Sequence, residues 1–401
     1  MKIFFIQKSS TMSKEKKLPI VFLINSLCEG GAERVLLTLS EYFLKEGHAV
    51  TILALSKNNF YPIPPQVKLV YLSGMNDNLS GIGKLFYMPY HAWRLKQYVK
   101  KNKIETVQSS LFRANFVNII SGLLGATHAV QVVNHSVVSR FLNNGLSGKI
   151  NLFLIRYLYP RADVVIHISK QMKSYFHQYF FKSQNEDVIY NPHNIEPIIQ
   201  QAYEPIEGFK FESHKRYLIT VGRLISLKRT DDIIQALNRL DSDIELIVLG
   251  DGVEKESLEK RVKEFSFEHR VHFLGQVNNP FNYIRQSDVF ISSSEVEGFP
   301  NVLIEAMICK TVVVSSDCLS GPREILAPNS DISIRLSKGM ELNEFGVLYA
   351  VGDIDALVQS IKKVLLDVQL RSSLESKAFI QSQCFSVENI ASQYKKVLHY
   401  E

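Results

Sequence analysis

Short apolar runs alternate with helical periods along the chain, and the alternation starts afresh halfway through. In the first half, apolar runs at residues 20–24, 49–55, 106–108, 129–133, 164–168 and 188–190 are separated by segments with a 3.6-residue repeat, the clearest over 32–46. Strands that are buried on both faces read as unbroken apolar runs, so this pattern predicts a parallel sheet covered by helices. A second set of runs at 217–221, 244–249, 271–273, 289–292 and 311–315, with helices predicted over 231–240 and 254–265, repeats the design. Between the two sets, residues 191–214 are rich in Pro, Glu and Gln without a sustained period and read as a linker. The expected fold is α/β: two Rossmann-like, doubly wound domains facing an interdomain cleft. Their predicted spans are 18–195 and 215–382, joined by a linker over 196–214, with a terminal helix over 383–401 placed to pack back on the first domain.

The predicted strands end in small or polar loops: Gly222-Arg223, Gly250-Asp251-Gly252, Gly275-Gln276 and Ser293 to Asn301. Ligands of open α/β sheets bind beyond the carboxyl ends of the strands, so these loops are expected to line one cleft. A chain of 401 residues, 46% hydrophobic and 21% charged, has the length and balance for two such cores.

Charge changes the picture more than the net +6 suggests. Residues 1–200 carry 23 Lys/Arg against 11 Asp/Glu, and residues 201–401 carry 23 against 29. From Asn78 to Ala162 one carboxylate, Glu105, stands among eleven Lys/Arg and many aromatics, a field that favours an anionic partner. No zinc-finger spacing or aromatic RNA-binding signature accompanies it, so nucleic acid is set aside in favour of an anionic membrane surface or a lipid-linked diphosphate. Two segments carry this expectation. Lys84 to Lys103 mixes Phe86, Tyr87, Tyr90, Trp93 and Tyr98 with six Lys/Arg; Ser136 to Arg161 adds Arg140, Lys149, Arg156 and Arg161.

The four cysteines (Cys28, Cys309, Cys318, Cys384) have neither metal-ligand nor disulfide-framework spacing, which suits a reducing, cytoplasmic setting. Residues 1–17 show no secretory leader, and Met12 is an alternative start. The one uncharged stretch of spanning length, 116–133, is broken by polar residues and Gly and is read as a buried helix followed by a strand.

Three strings carry chemistry. In "NSLCEGGAERVLL", Gly30-Gly31 stand where a strand turns into a helix, and paired glycines there let backbone approach a phosphate at the helix amino end. In "TVGRLISLKR", Arg223 and Lys228 share a strand-end loop, where two fixed cations can neutralise a diphosphate as a bond to it breaks. In "SSSEVEGFPNVLIEAM", Glu297 precedes a Gly298-Phe299-Pro300 turn and Glu305 lies inside the helix predicted from Asn301. The helix amino end suits an anion, and carboxylates are acceptor-only partners for the hydroxyls of a sugar and a ribose.

With "LGDG", "VHFLGQV", "SGPREIL" and "GVLYAVGD" in the same order, nearly the whole chain resembles the retaining nucleotide-sugar glycosyltransferases of family 4, which have the GT-B architecture. The resemblance implies that Arg223 and Lys228 hold the donor diphosphate, Glu297 contacts the transferred sugar and Glu305 holds the ribose. It also implies that Phe299, Asn301 and Val302 border the nucleotide, that the loop from Gly275 to Val277 lies beside the base, and that Gly30 and Gly31 approach the diphosphate from the other domain. His135, in "VVNHS", matches the family's histidine near the donor sugar, and Glu324 is a candidate support.

Within the family, the strings are similar to those of bacterial enzymes that extend glycans on polyprenyl diphosphate with hexose or N-acetylhexosamine from UDP-sugars. A GDP-mannose donor is the alternative. No cofactor is expected beyond the nucleotide sugar. No metal is expected either, because the strings Asp241-Ser-Asp243 and Asp353-Ile-Asp355 lie away from the strand-end loops. The implied setting is the inner face of the cell membrane, as a peripheral enzyme. A nucleotide-linked dehydrogenase is disfavoured by the missing G-x-G-x-x-G. A nucleotide-sugar epimerase of the same architecture and a non-catalytic sensor are the remaining competitors, the sensor having no need of Glu297 and His135.

Overall fold

A computed structural model describes residues 19–399 except 29, 75–80, 143–144 and 183–184. The leader-free reading of residues 1–17, the alternative start at Met12 and the side chains of Lys84 and Arg140 lie outside what is described. The amino-terminal sheet comprises β1 (Ile20–Ile24), β2 (Val50–Ala54), β3 (Lys68–Tyr71), β4 (Thr106–Ser110), β5 (Ala129–Asn134), β6 (Val164–His167) and β7 (Glu186–Val188). Its order is β3-β2-β1-β4-β5-β6-β7, all parallel. The second sheet comprises β8 (Arg216–Val221), β9 (Ile244–Leu249), β10 (Val271–Gly275), β11 (Val289–Ser292), β12 (Val312–Ser316), β13 (Met340–Leu342) and β14 (Val347–Tyr349). Its order is β10-β9-β8-β11-β12-β14-β13, antiparallel only between β13 and β14. In each sheet the order reverses beside the first strand, and a ligand crevice opens at such a switch point. This is the expected pair of doubly wound domains.

Burial explains the strands that sequence patterning finds. β1, β9 and β11 are buried at every position. β3 is half-exposed, and β13 and β14 are three residues each, too short to carry a period. The stretch 116–133 resolves into the helix Phe112–Leu123 followed by β5, as its interrupted apolarity predicts. Among the described residues no helix is long and apolar enough to cross a membrane.

The segment 191–214 differs from its featureless reading. It contains the helix Ile195–Ala202, whose Ile198 and Ala202 are buried while Ile195 and Ile199 pack against the core. The apolar spacing was helical; Pro197, in the first turn where proline is tolerated, disguised it. The last helix, Val387–His399, crosses back to the amino-terminal domain. There Gln131 Nε2 donates to the Val397 carbonyl at 2.6 Å and Lys395 pairs with Glu46 at 2.9 Å.

Four of the five buried histidines among the described residues are held far from their ordinary protonation. Burial is the largest cause holding His91, His128 and His193 down at about 4, and His167 at about 3, against an ordinary 6.5. The unfolded chain takes up these protons near 6.5 and the folded chain only near 4 or below. Stability is therefore complete above pH 6.5 and is lost as pH falls, by about 1.4 kcal/mol per unit for each histidine. The melting temperature is predicted to fall steeply between pH 7 and pH 5 in a calorimetric series; a flat profile would show that these imidazoles are solvated.

Candidate active site

The second domain supplies most of the cleft. After β8 the chain turns through Gly222, Arg223 and Leu224, and Arg223 stays exposed while Leu224 is buried and anchors the loop. A single 3-10 turn, Ser226–Lys228, then places Lys228 beneath the neighbouring loop. The Lys228 ammonium lies 2.5 Å from Glu297 Oε1, and the Ser294 hydroxyl donates to the same oxygen at 2.7 Å. Ser293 Oγ donates to the carbonyls of Lys228 and Arg229 at 2.8 and 2.9 Å, so the serine run of "SSSEVEG" ties the two loops together. Arg223, Lys228 and Val302 line one narrow recess with Ser292, Ser293 and Ser294.

Glu297 is held through its backbone as well. Its N–H donates to the Leu319 carbonyl at 2.7 Å, and its carbonyl accepts from Ser320 N at 2.9 Å. Gly298 presses on the amino-terminal domain: a Cβ there would lie 2.5 Å from the His135 carbonyl oxygen. The backbones of His135 and Gly298, 163 positions apart in sequence, therefore meet across the cleft. His135 follows β5, is half-buried, and has Nε2 3.2 Å from Ser110 Oγ. Burial lowers its pKa to about 4, so the imidazole is neutral at physiological pH.

The helix Asn301–Ile308 begins at the cleft, with Glu305 buried in its second turn. Glu305 Oε1 pairs at 2.8 Å with the guanidinium of Arg34, which projects from the helix Gly31–Lys45 of the other domain. Asn301 accepts from Asn191 Nδ2 at 2.8 Å, and a Cβ on Gly31 would stand 3.5 Å from Asn301 Nδ2. The amino ends of these two helices thus face each other, with the space beside Gly30 taken by the Glu33 carboxylate. Gly275 closes β10, and its carbonyl accepts from Gly250 N at 2.7 Å; Val277 is half-buried against the core.

Two expected residues are placed differently from the rest. The Phe299 ring turns away from the recess, stacks on Tyr190 at 5.0 Å and meets Phe385 at a tilt at 5.7 Å, leaving its backbone at the cleft. Glu324 crosses the domain boundary: it accepts from Ser169 Oγ (2.7 Å), Lys170 N (2.7 Å), Gln171 N (2.9 Å) and Tyr190 OH (3.1 Å), capping the helix Lys170–Tyr179. The Asp-x-Asp strings are engaged elsewhere. Asp243 pairs with Arg216, and Asp353 caps the helix Ile354–Leu366. Among the described residues no His/Cys/Asp/Glu group has the arrangement to hold a metal ion. Sequence reading did not single out Glu33, Arg34, Ser293 or Ser294; the serine run was the available signal for the last two.

A second surface lies on the amino-terminal domain. The helices Met88–Asn102, Phe112–Leu123 and Gly145–Leu158 bury their inner faces in one core. Outward they show Trp93 (49% exposed), Leu146 (70%) and Phe153 (65%) among exposed Arg94, Lys100, Lys149 and Arg156, and Phe86 (80%), at the end of the preceding helix Gly81–Phe86, is exposed as well. Tyr87 and Tyr90 are exposed too, whereas Tyr98 is half-buried under Lys68.

Comparison with known proteins gives a consistent result. Residues 29–196 match the model for Glycosyltransferase Family 4, and residues 205–380 match that for glycosyl transferases group 1. The chain is 30% identical over 378 residues, 94% of its length and 98% of the other's, to the N-acetylgalactosamine-N,N'-diacetylbacillosaminyl-diphospho-undecaprenol 4-alpha-N-acetylgalactosaminyltransferase of Campylobacter jejuni. It is 26% identical to a further Campylobacter jejuni enzyme, the GalNAc-alpha-(1->4)-GalNAc-alpha-(1->3)-diNAcBac-PP-undecaprenol alpha-1,4-N-acetyl-D-galactosaminyltransferase, with 95% and 98% of the two chains covered. In fold it is similar to sucrose-phosphate synthase from Thermosynechococcus elongatus (TM-score 0.77, 20% identity, 94% and 98% covered). It is likewise similar to HepE from Anabaena in complex with UDP (TM-score 0.73, 21% identity, 95% and 100% covered).

The backbone beneath Arg223 yields a prediction. Gly250 has φ +131°, and a Cβ there would stand 2.0 Å from the Gly222 carbonyl oxygen; one on Gly252 would stand 2.3 Å from the Leu224 carbonyl oxygen. Gly252→Ala is therefore expected to push the Arg223 loop outward and to lower stability by about 2 kcal/mol or more. Calorimetry checks this, and an unchanged melting temperature would mean that the two backbones are not in obligatory contact.

Proposed function

The chain belongs to the family 4 glycosyltransferases, and from that premise we propose that it transfers a hexose or N-acetylhexosamine, with retention, from a UDP-sugar to a glycan carried on polyprenyl diphosphate. The observation that carries the reading is that Arg223, Lys228 and the start of the helix Asn301–Ile308 line one recess, that Lys228 there holds the Glu297 carboxylate, and that the adjoining Gly298 turn abuts the His135 backbone of the other domain. The acceptor class is supported by the two Campylobacter jejuni relatives, whose names specify undecaprenol-linked glycans. The UDP donor rests on the resemblance of the cleft strings to bacterial enzymes of that kind.

In the proposed reaction the bond from the anomeric carbon to the diphosphate oxygen breaks, and its electron pair leaves with the diphosphate. Arg223, Lys228 and the exposed N–H groups of the helix Asn301–Ile308 stabilise the growing charge, a preorganised arrangement that needs no reorganisation as charge develops. The acceptor hydroxyl attacks from the face the diphosphate leaves, and its proton passes to a departing diphosphate oxygen. Lys228 and Ser294 hold Oε1 of Glu297, orienting the carboxylate to accept from a sugar hydroxyl. The neutral His135 can accept or donate at another, and Glu305 holds the ribose while Arg34 fixes its orientation. Two lysine and arginine charges serve where a divalent metal would otherwise be needed.

The exposed aromatic and basic surface of the amino-terminal domain is proposed to rest on the anionic inner leaflet, each cation contributing about 1 kcal/mol before screening. A peripheral, cytoplasmic enzyme would there meet a polyprenyl-linked acceptor.

Three outcomes are expected. Glu297→Gln should lower turnover roughly 100-fold while UDP affinity changes little, the pattern of an interaction made in the transition state; near-normal turnover would remove Glu297 from the chemistry. Arg223→Ala and Lys228→Ala should each cost about 2–4 kcal/mol of transition-state stabilisation, with activity surviving a chelator. Loss of activity with EDTA, restored by magnesium or manganese, would contradict that scheme. The protein should bind vesicles containing anionic lipid with an affinity that falls as salt shortens the Debye length below about 8 Å; indifference to such vesicles at low salt would reassign the basic face.

A further inference from the structure

The first turn of the helix Gly31–Lys45 carries two charged side chains, and both reach groups that the donor reading assigns to the nucleotide sugar. Arg34 pairs with Glu305, which fixes the turn against the second domain's helix Asn301–Ile308. Glu33 is buried and folds back over Gly30, so that a Cβ at Gly30 would lie 2.3 Å from Glu33 Oε2. Its carboxylate is steadied by the N–H of its own residue and by the positive field of Arg223. Burial nonetheless outweighs both and raises its pKa above the ordinary carboxylate value.

A helix amino end favours an anion, and in this protein a carboxylate already lies at Gly30, within the field of Arg223. The sequence places it where no bulk stands in the way: Gly30 has extended backbone, and its missing side chain is the space that Glu33 fills.

We propose that Glu33 is a specificity-setting residue of the donor site that competes with the donor's diphosphate for Arg223 and the helix end. The inference rests on the donor-site reading given above. Binding then requires the carboxylate to swing aside, which a flexible glutamate can do. After transfer the freed nucleoside diphosphate carries more negative charge than the donor did. Repulsion by the returning carboxylate is therefore greater against product than against substrate, and it favours release, a step that often limits turnover.

The test is calorimetric titration of inorganic pyrophosphate, UDP and uridine into the parent protein, Glu33→Gln and Arg223→Ala. Removing the competing charge should tighten pyrophosphate and UDP roughly fivefold or more, the size of one like-charge contact near a protein surface, and leave uridine unchanged. Steady-state inhibition by UDP should strengthen in step. Pyrophosphate binding that is equal or weaker in Glu33→Gln overturns the proposal, and Glu33→Ala gives the same reading should the Gln variant melt below the parent. Arg223→Ala separates the two levels of argument: if it binds pyrophosphate as tightly as the parent, the donor-site reading fails, whatever Glu33 does. Because pyrophosphate carries no base, the Glu33 result stands apart from the choice between UDP and GDP.

Discussion

One carboxylate holds the two halves of the cleft in register. Glu324 is buried, yet it accepts four hydrogen bonds, three of them from the start of the helix Lys170–Tyr179 in the opposite domain. That helix has no acid in its own first turn, so Glu324 supplies the negative charge its amino end favours. A buried charge left without partners costs several kcal/mol, so Glu324 needs these donors as long as the domains stay packed around it. The carboxylate is itself anchored: its neighbour Arg323 is buried against Asp317 at 2.6 Å and reaches Glu341 at 3.1 Å, fixing the short helix Pro322–Leu326.

The same contact reaches the Glu297 loop. Tyr190 donates to Glu324 and stacks on Phe299, which lies two residues after Glu297. Glu297 and its turn are in turn tied by backbone hydrogen bonds to Leu319 and Ser320, just before the short helix that carries Glu324. Glu324 is thereby linked through packed and hydrogen-bonded neighbours to the loop that carries Glu297. Arg34–Glu305 makes a second crossing, and the return of the helix Val387–His399 makes a third. The loops converge within the second domain, and these crossings set where the amino-terminal domain stands against them.

The strands were legible because burial on both faces removes polar residues from them, and the cleft was legible because charged residues such as Arg223 and Glu297 sit in strand-end loops. The contacts between domains were not. Glu324 and Ser169 are 155 positions apart, and no local period couples residues at that distance. Phe299 was grouped with the nucleotide because its neighbours in "EGFPN" face the cleft, yet a Pro-containing turn lets adjacent side chains diverge, and its ring found Tyr190 and Phe385. Ile195–Ala202 was hidden by Pro197. Gly30 read as room for a phosphate, and the room is real, but Glu33 uses it.

The central claim is that donor and acceptor meet on one face of the anomeric carbon between Arg223, Lys228, Glu297 and His135. It is tested most directly by incubating the purified protein with α-linked UDP-sugars and a polyprenyl-diphosphate-linked glycan, and reading the new linkage by proton NMR. An α linkage, formed with stoichiometric release of UDP, is the predicted result. A β linkage would require attack from the opposite face, and it would contradict the account.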